Sequence, residues 1–468
     1  LLKQNAILAT LKPTPSGEAV SGKGYGGTEV TTSAPTKPVQ LPDWAEAAVK
    51  SLSIPQPNLH PADLTLANGL RLIVQTEKTS PTITLVGSVK QQTQLETPPG
   101  KDGVSDVLEG LFSYGTKTLD RIAFQKALDD IAASESAGAN FNLKVLKQYF
   151  ARGVELLADN ELHPALPADA FKVVQQQTAQ LTAGVLQSPG YRMDRALEHA
   201  LLPKGDPLLR ETTPQTVSSL TYDDVSAYFK TTYRPDLTTI VVIGDITPEE
   251  TRAVIEKCFS EWKASGPKPP VLLPPVPANK PSAVNVPDPT QVQDTVNLSQ
   301  QLELNRFNRD YYAIQLGNHV LGGGFYATRL YRDLRQKAGY VYNIDDSFHA
   351  SETRAAYTID YGCDPQNVSK ARALIQQELV AMQKSEVTPT ELQQAKALLL
   401  RQIPLRESSE DSIASGLIGY ARIGLPLDEP SRAAQLYFNM TAAEVRAAFS
   451  KWIDPANFVQ VVRGPTPQ

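Results

Sequence analysis

The sequence predicts an α+β protein built from two homologous domains, on three observations. The chain has 468 residues, more than one hydrophobic core usually serves, which favours two domains of roughly 200 residues each. Residues 220–245 align with residues 440–465 without a gap: Thr221/Thr441, Val225/Val445, Ala227/Ala447, Phe229/Phe449, Pro235/Pro455, Val241/Val461, Val242/Val462 and Gly244/Gly464 are identical. Self-similarity at a fixed offset marks duplicated structure. Each copy also carries the same local grammar: a Thr N-cap with an acid three residues later (Asp224, Glu444), an apolar-periodic helix, a Pro turn, then a β-branched strand ending at Gly.

From the N-terminus, residues 2–13 resemble the strand part of that repeat, which predicts the last strand of a preceding domain. Residues 14–60 are rich in Pro, Gly, Ser and Thr and read as a linker, with one helix expected over residues 43–51. Leu64 to Val74 predicts a hairpin about Asn68-Gly69, and Thr82 to Val89 a further strand. Helical patterns dominate 103–200. A second Pro-rich stretch, 266–289, separates the repeats, and the second opens with the alternating segment Gln291 to Leu304. The expected division is therefore 1–60, an N-terminal segment and linker; 61–265, the first domain; 266–289, a linker; and 290–468, the second domain.

Composition excludes several classes. Hydrophobic residues at 41% and charged residues at 20% are those of a globular chain, and a net charge of -5 gives no reason to expect nucleic acid or an anionic membrane as partner. No apolar run reaches the eighteen or so residues that a spanning helix needs, and residues 1–20 lack a signal pattern, which places any targeting segment outside these residues. Cys258 and Cys363 form no Cys-x-x-Cys spacing and read as ordinary buried thiols. Of His60, His163, His199, His319 and His349, none pairs at three- or four-residue spacing; Arg195-Ala-Leu-Glu198-His199 imitates a metal motif but puts a cation at its first position.

Two segments carry chemistry. The first, Gly103-Val-Ser-Asp106-Val-Leu-Glu109-Gly110-Leu-Phe-Ser-Tyr-Gly115-Thr116, reads as a helix leading to a Gly-Thr turn. It resembles the metal-binding helix of the pitrilysin/insulinase (inverzincin) zinc peptidases, where His-x-x-Glu-His precedes an apolar pair and a Gly-Thr. In that pattern two His four apart hold zinc, the Glu takes a proton from zinc-bound water, and a distant Glu completes the site. Here Asp106 and Gly110 stand where the His should be, and Leu181, on a later helix before Pro189, stands near the third ligand position. Only Glu109 survives, so the resemblance implies a domain with a degenerate zinc motif that binds no metal.

The second segment, Leu321-Gly322-Gly323-Gly324 through Arg329, Arg332 and Arg335 to Tyr342, resembles the second-domain signature of the same family. There an Arg and a Tyr seven residues apart reach toward the substrate near the zinc; Arg335 and Tyr342 have that spacing, with Tyr340 the competing tyrosine on what alternation makes the same strand face. The bland reading pairs Arg335 with a neighbouring acid, Asp333 or one on the adjoining strand, and makes Tyr342 a half-buried strand aromatic. Gly322 to Gly324 lack the Lys-Ser/Thr of a phosphate loop and read as a turn with substrate-backbone contact. The resemblance implies two domains, each a mostly antiparallel sheet backed by helices. It implies an inactive half that contributes carbonyl polarisation to cleavage by a zinc-bearing half, as a separate subunit or a preceding part of the chain. It also implies no cofactor on this chain, unfolded peptides as substrates, and a bacterial periplasm or envelope setting. The alternatives are a structural core-like subunit, as among relatives of the mitochondrial processing peptidase, and a peptide-binding module without a proteolytic role.

Overall fold

The computed structural model describes residues 51–465 and Pro467. The strand expected over residues 2–13, and the helix expected over 43–51 apart from Ser51, lie outside the described residues. The described chain carries two sheets of one design. In the first, β1 (Ala62–Thr65), β2 (Arg71–Thr76), β3 (Thr82–Val89), β4 (Ser134–Ser136), β5 (Asn140–Leu146) and β6 (Thr238–Gly244) take the order β1-β2-β6-β3-β5-β4. In the second, β7 (Ser282–Pro287), β8 (Asp294–Leu302), β9 (Val341–Ala350), β10 (Ala355–Cys363) and β11 (Val459–Gly464) take the order β7-β11-β8-β10-β9. Apart from β1 the two orders correspond strand for strand, each with one parallel pair, β2–β6 and β7–β11, among antiparallel neighbours. The α+β duplication read from the sequence is the architecture found.

The hairpin about Asn68-Gly69 forms as β1–β2, with Gly69 at φ +91° in its turn, and Thr82 to Val89 is β3 as expected. Two expectations need correction. The mostly helical reading of 103–200 misses β4 and β5, although Asn140–Leu146 alternates exposed and buried residues as a half-buried strand should. The stretch 266–289 also contains β7, whose mostly exposed residues at a sheet edge leave too little apolar pattern to be seen.

The helices of the first repeat are α1 (Val104–Leu111), α2 (Arg121–Asp129), α3 (Phe150–Leu162), α4 (Ala168–Gln187), α5 (Pro189–Leu201), α6 (Tyr222–Thr232) and α7 (Pro248–Phe259). The second has α8 (Tyr311–Leu321), α9 (Val368–Lys384), α10 (Pro389–Arg406), α11 (Glu410–Ile423), α12 (Glu429–Asn439) and α13 (Ala442–Trp452). The repeated helices α6 and α13 start at capping boxes, Thr221 with Asp224 and Thr441 with Glu444.

One helix of each repeat crosses to the other. The Met193 and Leu201 face of α5 packs with Val459 and Val461 of β11, while Ile413, Ala414 and Leu417 of α11 pack on Ile73, Val241 and Ile243 of the first sheet. This explains the repeated Val-Val: Val242 and Val462 face their own cores, and Val241 and Val461 face the visiting helix. Strands buried on both faces read as continuous β-branched runs. The junction is also polar. Arg354, in the β9–β10 turn, donates to both carboxylate oxygens of Asp206 at 3.1 and 2.8 Å and to the Pro274 carbonyl, and Lys90 pairs with Glu352 at 2.7 Å.

Candidate functional site

The degenerate motif lies on α1, where α4 and α6 pack against it. Glu109 is committed: Ala139 N–H donates to its Oε1 at 2.8 Å and the buried Tyr233 hydroxyl donates to the same atom at 2.5 Å. A Cβ on Gly138, at φ +134°, would meet Glu109 Oε2 at 2.2 Å, so the turn into β5 has to be glycine beneath this carboxylate. The preceding amide, Gly138 N–H, donates to Glu161 at 2.9 Å. Two neighbouring amides of the β4–β5 turn are thus capped by two carboxyl groups.

Glu161 is 0% exposed; burial, reinforced by the charges of Glu109 and Glu135, drives its carboxyl well above the ordinary range, against the Gly138 hydrogen bond. Glu135, on edge strand β4, is pushed up to about 7 by burial despite accepting from Asn160 Nδ2 at 3.1 Å. The motif search missed Glu135, Glu161 and Tyr233. Glu161 was within reach: it falls four residues after Leu157, on the buried face of α3, where a carboxyl is out of place.

The residues do not fit a zinc ion. Gly110 offers no donor, and a Cβ built on it would meet Val174 Cγ1 at 2.6 Å, so a methyl of α4 already fills the space of the second His. Leu181 is apolar and 71% exposed on α4, Asp106 is exposed, and Glu109 Oε1 already serves two donors. Among the described residues no group of three His, Cys, Asp or Glu is placed to hold a metal. The imitation motif on α5 is an ion pair, Arg195 to Glu198 at 2.6 Å, with Arg195 also donating to the carbonyls of Leu208 and Leu209.

In the second repeat, Gly322 and Gly324 are buried and Gly323 partly so. Cβ atoms on the first two would press on the carboxyl of Asp346 and the amide of Asn318, and one on Gly324 on the His319 carbonyl. Asp346 is fully buried, accepts from the Tyr357 hydroxyl at 2.6 Å, and is driven well above the carboxylate range by that burial. The glycine run is therefore shaped at least by its fit to this core carboxyl.

The arginine helix is π-helical over Tyr331–Lys337, with Ala338 N–H donating to the Asp333 carbonyl five residues back; such widened turns recur at functional positions. Arg329 makes a two-pronged pair with Glu391, both contacts 2.8 Å, which helps hold that carboxyl down at about 2. Asp333 takes Arg332 and Lys337. Arg335 donates to the Val341 carbonyl at 3.2 Å, and its guanidinium lies 5.8 Å from the Tyr342 ring centroid. Tyr342, 42% exposed, donates to Asp364 Oδ1 at 2.9 Å. Tyr340 differs: it packs partly buried against the second core, and its amide donates to the Leu334 carbonyl. The alternation argument fails for it because β9 begins at Val341, one residue later.

Residues 219–399 match the family described as Peptidase M16 inactive domain. The chain is 25% identical over 372 residues to the uncharacterized zinc protease YmxG of Bacillus subtilis, covering 74% of this chain and 85% of that protein. Its fold is that of the crystallised peptidase M16 inactive domain from Pseudomonas fluorescens, with TM-score 0.77 and 21% identity over 87% of this chain and 98% of that one. It also superposes on the periplasmic protease PqqL of Escherichia coli, with TM-score 0.74 and 15% identity over 89% of this chain and 48% of that one. With a broken zinc helix in the first repeat and an inactive-domain match over residues 219–399 that runs into the second, the chain is similar to the inactive halves of the M16, or pitrilysin/insulinase, peptidases.

Proposed function

We propose that the chain is the zinc-free half of a two-part peptidase, holding an extended peptide and polarising its scissile carbonyl while a zinc-bearing half supplies the metal and the general base. The observation that carries this reading is the meeting of Arg335 and Tyr342 at the head of β9, a sheet edge among the described residues. A carbonyl oxygen gains negative charge as the tetrahedral intermediate forms, and a guanidinium and a phenol are the donors to meet it. Each well-placed donor in a water-excluded site contributes on the order of 3 kcal/mol. Tyr342 now donates to Asp364, so a substrate oxygen competes with that carboxylate for the same proton. The unpaired edge of β9 gives an extended peptide main-chain partners, and side-chain contacts then choose the register. In this reading the glycine turn, Gly322 to Gly324, lets substrate backbone approach, and the setting is the bacterial periplasm that PqqL's description names for that protein.

The test mixes this chain with a zinc-bearing M16 half from the same source and follows cleavage of an unstructured fluorogenic peptide. Arg335→Ala and Tyr342→Phe are each expected to lower kcat about a hundredfold, the equivalent of one lost donor, with assembly unchanged. Full activity in both variants sinks the carbonyl-polarising role and leaves a structural subunit. Stoichiometric zinc and cleavage by the isolated chain would overturn the division of labour altogether.

A further inference from the structure

A cavity of about 870 Å³ lies among α8, α10, α11 and α12, and its lining shares no residue with the Arg335–Tyr342 pair or with the Glu109 clasp. Its walls are mainly apolar, with Leu399, Ile403, Ile413, Leu417, Ile423 and Leu425 contributing. That size suits a small organic ligand or a few peptide residues. Its polar groups are unevenly satisfied. Arg306 is neutralised by Glu429 at 2.5 Å, and Asp411 faces Lys144 at 3.3 Å. Arg406, at the end of α10, has only the Gln402 side-chain oxygen at 3.4 Å and no carboxylate partner among the described residues. Its charge acts on His319, Tyr311 and Tyr420, which all line the cavity. Glu407 beside it is pushed toward its neutral form by burial.

Two acceptors complete the wall. Gln315 Oε1 is buried without a hydrogen-bond partner. His319 Nδ1 lies 2.9 Å from the Gln315 carbonyl; a carbonyl only accepts, so Nδ1 carries the proton. Burial holds the ring neutral, which leaves Nε2 as an acceptor.

We infer that this cavity binds the C-terminal residues of a hydrophobic peptide, with the terminal carboxylate on Arg406, a main-chain N–H on Gln315 Oε1 or His319 Nε2, and apolar side chains against the α10–α11 wall. The acceptors decide between sources of an apolar acid, because a peptide brings N–H donors and a fatty acid brings none. The inference rests on the reading that the chain handles peptides, and it places a second peptide contact away from the carbonyl-polarising pair.

The test uses the full chain without any zinc-bearing half, and a fluorescein-labelled hexapeptide ending in Leu-Phe, as free acid and as C-terminal amide, followed by fluorescence polarisation. The acid is expected to bind and the amide to bind about tenfold more weakly, the loss of one charge-assisted hydrogen bond. Arg406→Ala should weaken the acid by a similar factor and abolish the difference between the two peptides. Gly419→Phe, at a cavity-lining position where a Cβ meets nothing within 4 Å, should abolish binding by filling the space. The cleavage assay reads the Arg335–Tyr342 pair and this binding assay reads Arg406 and the cavity, so failure of the catalytic proposal there would leave this binding intact. Equal binding of acid and amide, binding indifferent to both Arg406→Ala and Gly419→Phe, or capture of dodecanoate but not the peptide would each overturn the inference.

Discussion

The two repeats share a fold and have parted in chemistry. Apart from β1 both run the same strand order, and both carry a Thr-capped helix followed by a Val-Val strand. In the first repeat, however, the helix that carries the degenerate motif is tied to its own domain: Glu109 clasps the β4–β5 turn and Val174 fills the space over Gly110. In the second, the corresponding working edge stays open, with Tyr342 exposed and Arg335 beside it. What the repeats still hold in common are caps and central strands, which the core needs whatever the active site does. What differs are side chains on the surfaces where substrate and metal would meet.

The comparison breaks most severely at the junction of the repeats. Asp206 and Arg354 are both buried, and Asp206 Oδ1 also accepts from the Leu208 amide. Asp206→Ala leaves a buried guanidinium with only the Pro274 carbonyl, and should cost about 3–5 kcal/mol of unfolding free energy in a denaturant titration. Leu417→Ala, on the visiting helix α11 and 1% exposed, should cost about 2–5 kcal/mol in the same experiment. If each repeat held its stability separately, Leu417→Ala would disturb only the second; joint loss of both in a single transition is the expected outcome.

A smaller effect sharpens the contrast in chemistry. Rewriting the family pattern as Asp106→His, Gly110→His and Leu181→Glu supplies the right residue types, yet Gly110→His drives an imidazole into Val174. The overpacking should cost about 1–3 kcal/mol, and zinc measured after dialysis should stay well below one equivalent. Adding Val174→Ala makes the room, and a rise in zinc content on that addition alone would show that the methyl, rather than the commitment of Glu109, blocks the site.

Much of this was legible in the sequence because it rests on short-range rules. Thr221-x-x-Asp224 and Thr441-x-x-Glu444 announce helix starts, and the Val-Val strands announce burial on both faces. Gly110 visibly cannot ligate zinc, and Asp106 stands where the first His of the pattern should be. Other features depend on chain segments far apart. Nothing near Gly110 says that Val174 sits over it, and nothing near Arg329 names Glu391 as its partner 62 residues on. The exchange of α5 and α11 is likewise hidden, since an apolar face does not state which sheet it will cover. Tyr340 and Tyr342 look equivalent until the strand start at Val341 separates them.

The smallest expected effect tests whether the closed site of the first repeat still titrates. Glu135 is held near 7 by burial, above the ordinary glutamate value of about 4.3, so the folded chain keeps its proton where the unfolded chain has lost it. Where the native state binds more protons, stability falls as pH rises. The Glu135 contribution is therefore fully present below about pH 4.3 and lost as pH climbs through about 7. Glu161, raised in the same direction beneath it, adds to the slope. Glu135→Gln keeps an acceptor for Asn160 and removes the titration, so Tm between pH 5 and 8 should fall less steeply in the variant than in the parent, with the two curves separating most at the alkaline end. Parallel curves would mean that Glu135 is ionised throughout, with the cluster opening to water at the edge strand. The first repeat would then be a looser structure at its old active site than the hydrogen bonds of Glu109 and Glu161 describe.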